Sequence, residues 1–405
     1  MSGTGGRTRR ELLVDTAKAA AAASVAGLAG CFPDVGGRWP DASACRVTDA
    51  GAENEAGAAA AISNAVVEVF REESVVSPTR SRNVVQPDVV ATMLDAGLAA
   101  LARAIAKPNA GSSSQDGGTG GEDAARSTIS ADQDVSDGTY ADGGIDDNPW
   151  QVLLPTYRPG QRIGLKVNCL NQNAPTSRYL IRAIVTSLRD RLGVDPANII
   201  VWDRILSELK TKAKYTDEDL AGAQLRGTLQ ESGKVTPGEP GYGDPISPSI
   251  ECQTPRLSRI LTDQTDLTIN CPVLKTHNVS GITAAMKNIY GIIDIPGKYH
   301  RPHLQTALPA LYALPAIRNS ISLTIVDGLV GIINGDTDSI NVAAIRRILL
   351  AQDPVAMDGY ALDLVNQLRN ASDPPVPPVE ADLVTYIARA EALGLGTTKY
   401  SLINA

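Results

Sequence analysis

The stretch Cys271–Gly291, CPVLKTHNVSGITAAMKNIYG, places Lys275 and His277 where an apolar run ends and Lys287 ten residues after His277. Two ammonium groups so placed can hold a carboxylate or a phosphate. A histidine titrates near neutrality and can bind a metal or move a proton. A little downstream, HRPH carries His300 and His303, which with His277 are the 3 histidines of the chain. Histidines joined by Asp294 or Asp327 would suit zinc, nickel or iron, so His277, His300, His303 and Asp327 are the candidate metal ligands. Lys166 lies inside the apolar run GLKVN. An ammonium there is costly unless it pairs with an acid such as Asp203 or reaches a cleft. The candidate catalytic residues are Lys287, His277 and Asp203. The candidate substrate-binding residues are Lys275, Lys166, Asn168 and Asn288. Plainer roles compete with these: Lys287 as a solvated charge at a helix end, the histidines as structural residues, and Asp353, followed by Pro354, as a helix N-cap.

The elements needed to bring these residues together follow from the hydrophobic pattern. RIGLKVNC, NIIVWD, LTINCPVL, ISLTIVDG and RRILLAQD read as strands. TSRYLIRAIVTSLRDRL, GITAAMKNIY and PVAMDGYALDLVNQL read as helices between or after them. Near-continuous apolar strands alternating with helices predict an α/β fold, a mostly parallel β-sheet covered on both faces, forming a single large domain with long loop insertions. Such sheets bind ligands beyond the carboxyl ends of their strands. Asn168, Asp203, Lys275, His277, Asp327 and Asp353 all fall at strand ends. Capped by Asn278 or Ser280, the helix GITAAMKNIY would turn its positive end toward His277 and favour neutral imidazole. Its apolar stripe is Ile282, Ala285, Met286 and Ile289, with Lys287 on the other side. The domain is expected over residues 58–405. It begins with a helix, a short extended segment and a second helix, PDVVATMLDAGLAALARAIA. Residues 107–148 read as a disordered acidic loop, and 212–250 as a polar excursion over the surface.

Composition narrows the function classes. The 405 residues carry a formal charge of −8 and no basic stripe, which argues against nucleic-acid binding. No repeat or sufficiently long transmembrane run is expected. The N-terminus reads as an address: TRRELL (Thr8 to Leu13) has a twin arginine, an alanine-rich run follows, and LAGC ends at Cys31. This order predicts a twin-arginine signal peptide over 1–31 with a lipobox-like end, lipidation at Cys31 and a flexible tether over 32–57. The expected partners are the twin-arginine translocase during export and a small anionic molecule. The expected location is periplasmic or at the cell envelope, touching membrane only through a lipid anchor. The 5 cysteines form no CxxC and no iron–sulfur cluster motif. Cys169 and Cys271 read as buried free thiols, with a disulfide as the alternative.

The blocks GQRIGLKVNCLNQNAPTS, NIIVWDR, LTINCPVLKTHNVSGITAAMKNIYG, VDGLVG and LLAQDPVAMDGYALDLV resemble, in order, those of the domain of unknown function family 362. The resemblance covers roughly residues 75 to 400, apart from the acidic loop and the polar excursion. Many members carry ferredoxin-type modules, and this chain departs from them in lacking the cluster motif. The resemblance implies a family without an established activity. A more distant likeness is to nickel-pincer lactate racemases, in which a histidine after an apolar strand, a lysine on a glycine-rich helix and a further histidine occur in sequence. His277, Lys287 and His303 stand in that order here. Ala285 and Met286 replace the racemase glycine pair, and Asp203 stands near the place of an earlier racemase histidine. This likeness implies a site location and, more weakly, a divalent metal. Together these features predict an exported enzyme, metal-assisted or acid/base, acting on a small anionic substrate at the sheet's carboxyl edge. The alternative is a non-catalytic metal- or anion-binding envelope protein.

Overall fold

The computed structural model describes residues 63–79, 82–106, 127–129, 144–232 and 236–405. The signal peptide, the tether and Cys31 lie outside the described residues. In chain order the strands are β1 (Ala65–Phe70), β2 (Val75–Thr79), β3 (Arg82–Val85), β4 (Ser127–Ile129), β5 (Ile163–Lys166), β6 (Ile199–Ile205), β7 (Gln224–Leu229), β8 (Tyr242–Pro245), β9 (Arg256–Ser258), β10 (Leu267–Asn270), β11 (Val273–His277), β12 (Gly281–Thr283), β13 (Ile321–Ile332), β14 (Ala343–Ala351) and β15 (Ser401–Asn404). The described helices of eight or more residues are α1 (Pro87–Ala106), α2 (Arg178–Leu192), α3 (Leu304–Tyr312), α4 (Pro354–Asn370) and α5 (Thr385–Ala392).

Nine strands run β4-β15-β1-β14-β13-β10-β5-β6-β7 across the main sheet, with β11 joining β13, and β12 joining β11. The run from β13 to β7 is parallel throughout. Antiparallel β14 links it to β1. The fold is α/β, with a mixed, mostly parallel sheet.

Alternation along the strands explains the two covered faces. Ile163, Leu165, Ile199, Val201 and Ile269 enter one core with α1 and α2. Ile200 and Trp202 enter another with α3 and α5. A strand side chain points opposite to its neighbours. Lys166 and Asn270, next to Leu165 and Ile269, therefore share the second face. By length and apolarity α1 could cross a membrane, contrary to the expectation from sequence. Its Met93, Leu94, Leu98 and Leu101 are instead buried in the first core.

Several segments differ from their sequence expectation. The chain after residue 62 begins with strand β1 rather than a helix, and Val66, Val67 and Val69, fully buried, supply the β-branched residues a central strand favours. LTINCPVL is two strands, because the chain steps from β10 to β11 at Cys271–Pro272. Both lean on the twelve residues of β13, β10 pairing with its first part and β11 with its second. GITAAMKNIY is not an amphipathic helix. Gly281–Thr283 form β12, which folds back on β11 with Lys275 opposite Thr283 and His277 opposite Gly281. Gly281 has φ +66, a conformation in which a β-carbon is strained. Lys287–Gly291 is a single 3-10 turn. Helical periodicity misleads here because both sides are covered: Thr283, Ala284 and Lys287 are as buried as the supposed stripe. Within the supposed excursion, β7 extends the main sheet and β8 pairs as a ribbon with β9, which lies just beyond it. The acidic loop lies largely outside the described residues, of which Ser127–Ile129 pair with β15.

Candidate functional site: a cationic cavity at the strand ends

A cavity of about 280 Å³ opens at the carboxyl ends of β5, β6 and β11. Lys166, Asn168, Asp203, Lys275, His277, Lys287, Asn288 and His300 all line it. Two of the expected site residues are elsewhere. His303 holds Glu251 through Nδ1 at 2.9 Å. Asp327 accepts from the backbone N–H groups of Ser177 and Leu329 at 2.5 and 2.9 Å and lines a separate cavity. Burial raises its carboxyl to about 6. Asp353 caps α4, accepting from Val355, Ala356 and Thr397.

Lys166 and Asp203 form a buried ion pair at 2.8 Å. Asp203 also accepts from the backbone N–H groups of Cys169 at 2.9 Å and Arg204 at 2.8 Å. Lys166 Nζ donates to the Val167 carbonyl at 2.7 Å. Both carboxylate oxygens of Asp203 are therefore engaged within the protein, Oδ1 by Lys166 and Arg204 and Oδ2 by Cys169. Gly291 sits against the pair. A β-carbon there would lie 2.6 Å from Lys166 Nζ and 2.8 Å from Asp203 Oδ1. Gly291→Ala is expected to displace the pair and destabilise the fold by about 1–3 kcal/mol. An unchanged urea midpoint would contradict this.

A chain of amides locks the next cation. Lys275 donates to Asn168 Oδ1 at 2.8 Å, Asn168 to Asn288 at 3.0 Å, Asn288 to Asn270 at 2.8 Å, and Asn270 to the Ala285 carbonyl at 2.8 Å. Burial lowers Lys275 to about 8. Asp358 of α4 accepts from the backbone N–H groups of Ala285 and Met286 at 2.6 and 3.3 Å and from the Tyr386 hydroxyl at 3.2 Å, fixing the segment that leads into Lys287. Burial raises Asp358 to about 7.

Lys287 is different. It is only 7% exposed, and among the described residues its ammonium has no hydrogen-bond acceptor. It rests over the Tyr290 ring, 3.8 Å from the centroid. Burial first, then the charge of Lys275, lowers it to about 7, with Asp336 pulling the other way. The Thr283 hydroxyl is buried on the same cavity wall and also unpartnered.

His277 and His300 stack at 5.7 Å with 17° between their planes. His277 Nδ1 accepts from the Val279 N–H at 3.0 Å, so the network assigns its proton to Nε2. His300 Nδ1 lies 2.8 Å from the Pro296 carbonyl, which must accept, so its Nε2 carries the lone pair. Burial and then the Lys287 charge lower both rings, His277 to about 3. His277 is thus neutral, as expected, but without a helix N-terminus behind it.

The expected metal set is not assembled. His303 and Asp327 do not line the cavity, His277 has no free lone pair, and Asp294 accepts from the Arg256 N–H. His300 Nε2 is the remaining donor of the set. No group of three or more His, Cys, Asp or Glu suited to a metal occurs among the described residues. Cys169 and Cys271 are buried free thiols.

Sequence reasoning missed Asn270, Thr283, Tyr290, Gly291 and Asp358. Asn270 in LTIN and Asp358 in PVAMDGYAL are polar residues inside apolar runs, the same signal that singled out Lys166. Thr283 and Gly291 carry no comparable signal.

No curated protein matches the chain. Among solved structures, the lactate racemase apoprotein from Thermoanaerobacterium thermosaccharolyticum is 13% identical over 45% of this chain and 45% of that chain, with a TM-score of 0.30. A Thermotoga maritima protein is 11% identical over 47% of this chain and 51% of that chain, with a TM-score of 0.31. The chain spans about half the length of each. Residues 163–363, which include every residue lining the cavity, match the family described as domain of unknown function (DUF362).

Proposed function

We propose that the cavity binds a small carboxylate-bearing molecule and moves a proton on it. The observation that carries this reading is Lys287, a lysine only 7% exposed whose ammonium has no acceptor at the cavity. Burying a charge unpaired is costly, and such groups in clefts mark ligand sites. The lining supports the sign of the ligand. Lys166, Arg204, Lys275 and Lys287 face Asp203 and Glu208, and both carboxylates already hold lysines, Lys166 and Lys212. The positive charge left over is that of Lys275, Lys287 and Arg204. In this reading Lys275 and Lys287 hold the carboxylate, the lone pair of His300 takes a proton from the bound molecule, and the Nε2–H of His277 donates to oxygen as charge develops. No metal takes part in this reading, since the described residues do not assemble a ligand set for one. The twin arginine of Thr8–Leu13 and the site LAGC before and at Cys31 support placing this activity in the cell envelope.

Calorimetric titration of the full chain with pyruvate, lactate, malonate and phosphate tests the binding. At least one carboxylate is expected to bind, with affinity reduced tenfold or more in Lys287→Met. Exchange of its carbon-bound hydrogen with deuterated solvent, lost in His300→Gln while binding persists, is the expected signature of proton transfer. Binding without exchange would leave an anion-binding protein. Absence of binding by all four would end the reading.

A further inference from the structure

The two lysines of the cavity are not equivalent, and their difference suggests different tasks. Lys275 is held by Asn168, which is itself fixed through Asn288 and Asn270 to the backbone at Ala285. It is a fixed cation. Lys287 has no acceptor, is buried and stands over an aromatic face. A lysine desolvated beside another cation is the arrangement that activates an amine as a nucleophile. Resting on the anion-site reading, we propose that Lys287 forms an imine with the carbonyl carbon of a small 2-oxo acid whose carboxylate is held by Lys275.

The surrounding groups suit each half of that reaction. The neutral amine of Lys287 attacks the carbonyl carbon. A C–N bond forms, and the carbonyl π pair moves to oxygen. A proton passes from nitrogen to that oxygen and gives a carbinolamine. The unpartnered Thr283 hydroxyl, on the strand residue opposite Lys275, is free to hydrogen-bond the new hydroxyl. In the second half, the nitrogen lone pair forms C=N as the C–O bond breaks, and the hydroxyl leaves with a proton as water. The His277 Nε2–H can hydrogen-bond the departing oxygen, which takes its proton from water in the cavity, and His300 can take up the one released from nitrogen. One water leaves overall, and nothing is oxidised or reduced. Amine states are available near neutrality, because burial and Lys275 bring Lys287 to about 7. The cavity of about 280 Å³ suits an acid of a few carbons. The imine would draw electrons from the neighbouring carbon, where His300 could then remove a proton.

The test is reductive trapping. The full chain is incubated with pyruvate and cyanoborohydride, digested and mapped by mass spectrometry. A saturable adduct on Lys287 is expected, at least tenfold above that on any other lysine. Lys287→Arg should remove it. Lys275→Gln should leave the adduct on Lys287 but raise the pyruvate needed at least tenfold. Trapping on Lys287 no greater than on surface lysines would overturn the imine. If calorimetry then still shows Lys287-dependent carboxylate binding, the anion site stands without the covalent step. If both are absent, both readings fall.

Discussion

Lys287→Met is expected to stabilise the fold while weakening carboxylate binding tenfold or more. Inside the cavity Lys287 titrates near 7, against an ordinary value of 10.5. Each unit is about 1.4 kcal/mol, so holding the charged form there costs on the order of 5 kcal/mol. The sign follows from proton counts. Between about pH 7 and 10.5 the unfolded chain holds this proton and the folded chain does not, so the penalty shrinks as pH rises. Below about 7 it is present in full. Methionine keeps most of the volume, sheds the charge and can lie against the Tyr290 ring. The gain of the variant over wild type should therefore be largest near pH 6 and close to zero near pH 10. Taking the difference between the two proteins removes the titration of Asp358 and Asp327. Urea unfolding at both pH values measures it. A variant less stable than wild type at pH 6 would show that Lys287 is a structural cation with a partner, and the site argument would lose its foundation.

The Lys166–Asp203 pair is expected to be lopsided. Asp203→Ala removes the acceptor of a lysine that is 1% exposed and leaves the backbone N–H groups of Cys169 and Arg204 without their oxygens. Stranding a buried charge in this way costs about 3–5 kcal/mol. Lys166→Met leaves a carboxylate that still accepts two backbone N–H bonds, which favour its charged form. Its cost should be smaller, about 1–3 kcal/mol. The double variant should cost less than the two singles together, because the stranded ammonium is then absent. Denaturant midpoints for the three variants decide this. Equal costs for the two single variants would mean that the amides of Cys169 and Arg204 do not hold Asp203 as described.

Much of this architecture was legible in the sequence. The apolar runs around Lys166, Asp203 and Lys275 gave strands, and the rule that ligands gather at their carboxyl ends placed Asn168 and His277 with them, whereas Lys287 was reached through a helix that does not form. Lys166 was informative because an ammonium in a buried strand needs a partner, and Asp203 is that partner. The step at Cys271–Pro272 was not legible, because an apolar run does not reveal which strand of a sheet it follows. The failed helix over GITAAMKNIY has a related cause. Apolar residues at helical spacing mark a helix only when the intervening residues face water, and here Thr283 and Lys287 are buried too. His303 and Asp327 were grouped with the site by their positions in sequence. Their partners, Glu251 and the Ser177 and Leu329 amides, lie where pattern alone has no reach. The same holds for Asp358, which acts on Ala285 and Met286 from a distant helix.

The central claim is that Lys275 and Lys287 wait, partly deprotonated, for an anion. A bound carboxylate favours their charged forms and so must draw protons into the protein. Titration of lactate, which has no carbonyl to form an imine, in two pH 8 buffers of different ionisation enthalpy counts those protons. Uptake of roughly one proton per lactate bound is expected, falling by at least half in Lys287→Met at any lactate concentration that still binds. Binding with no proton uptake, or with the same uptake in the variant, would contradict the account.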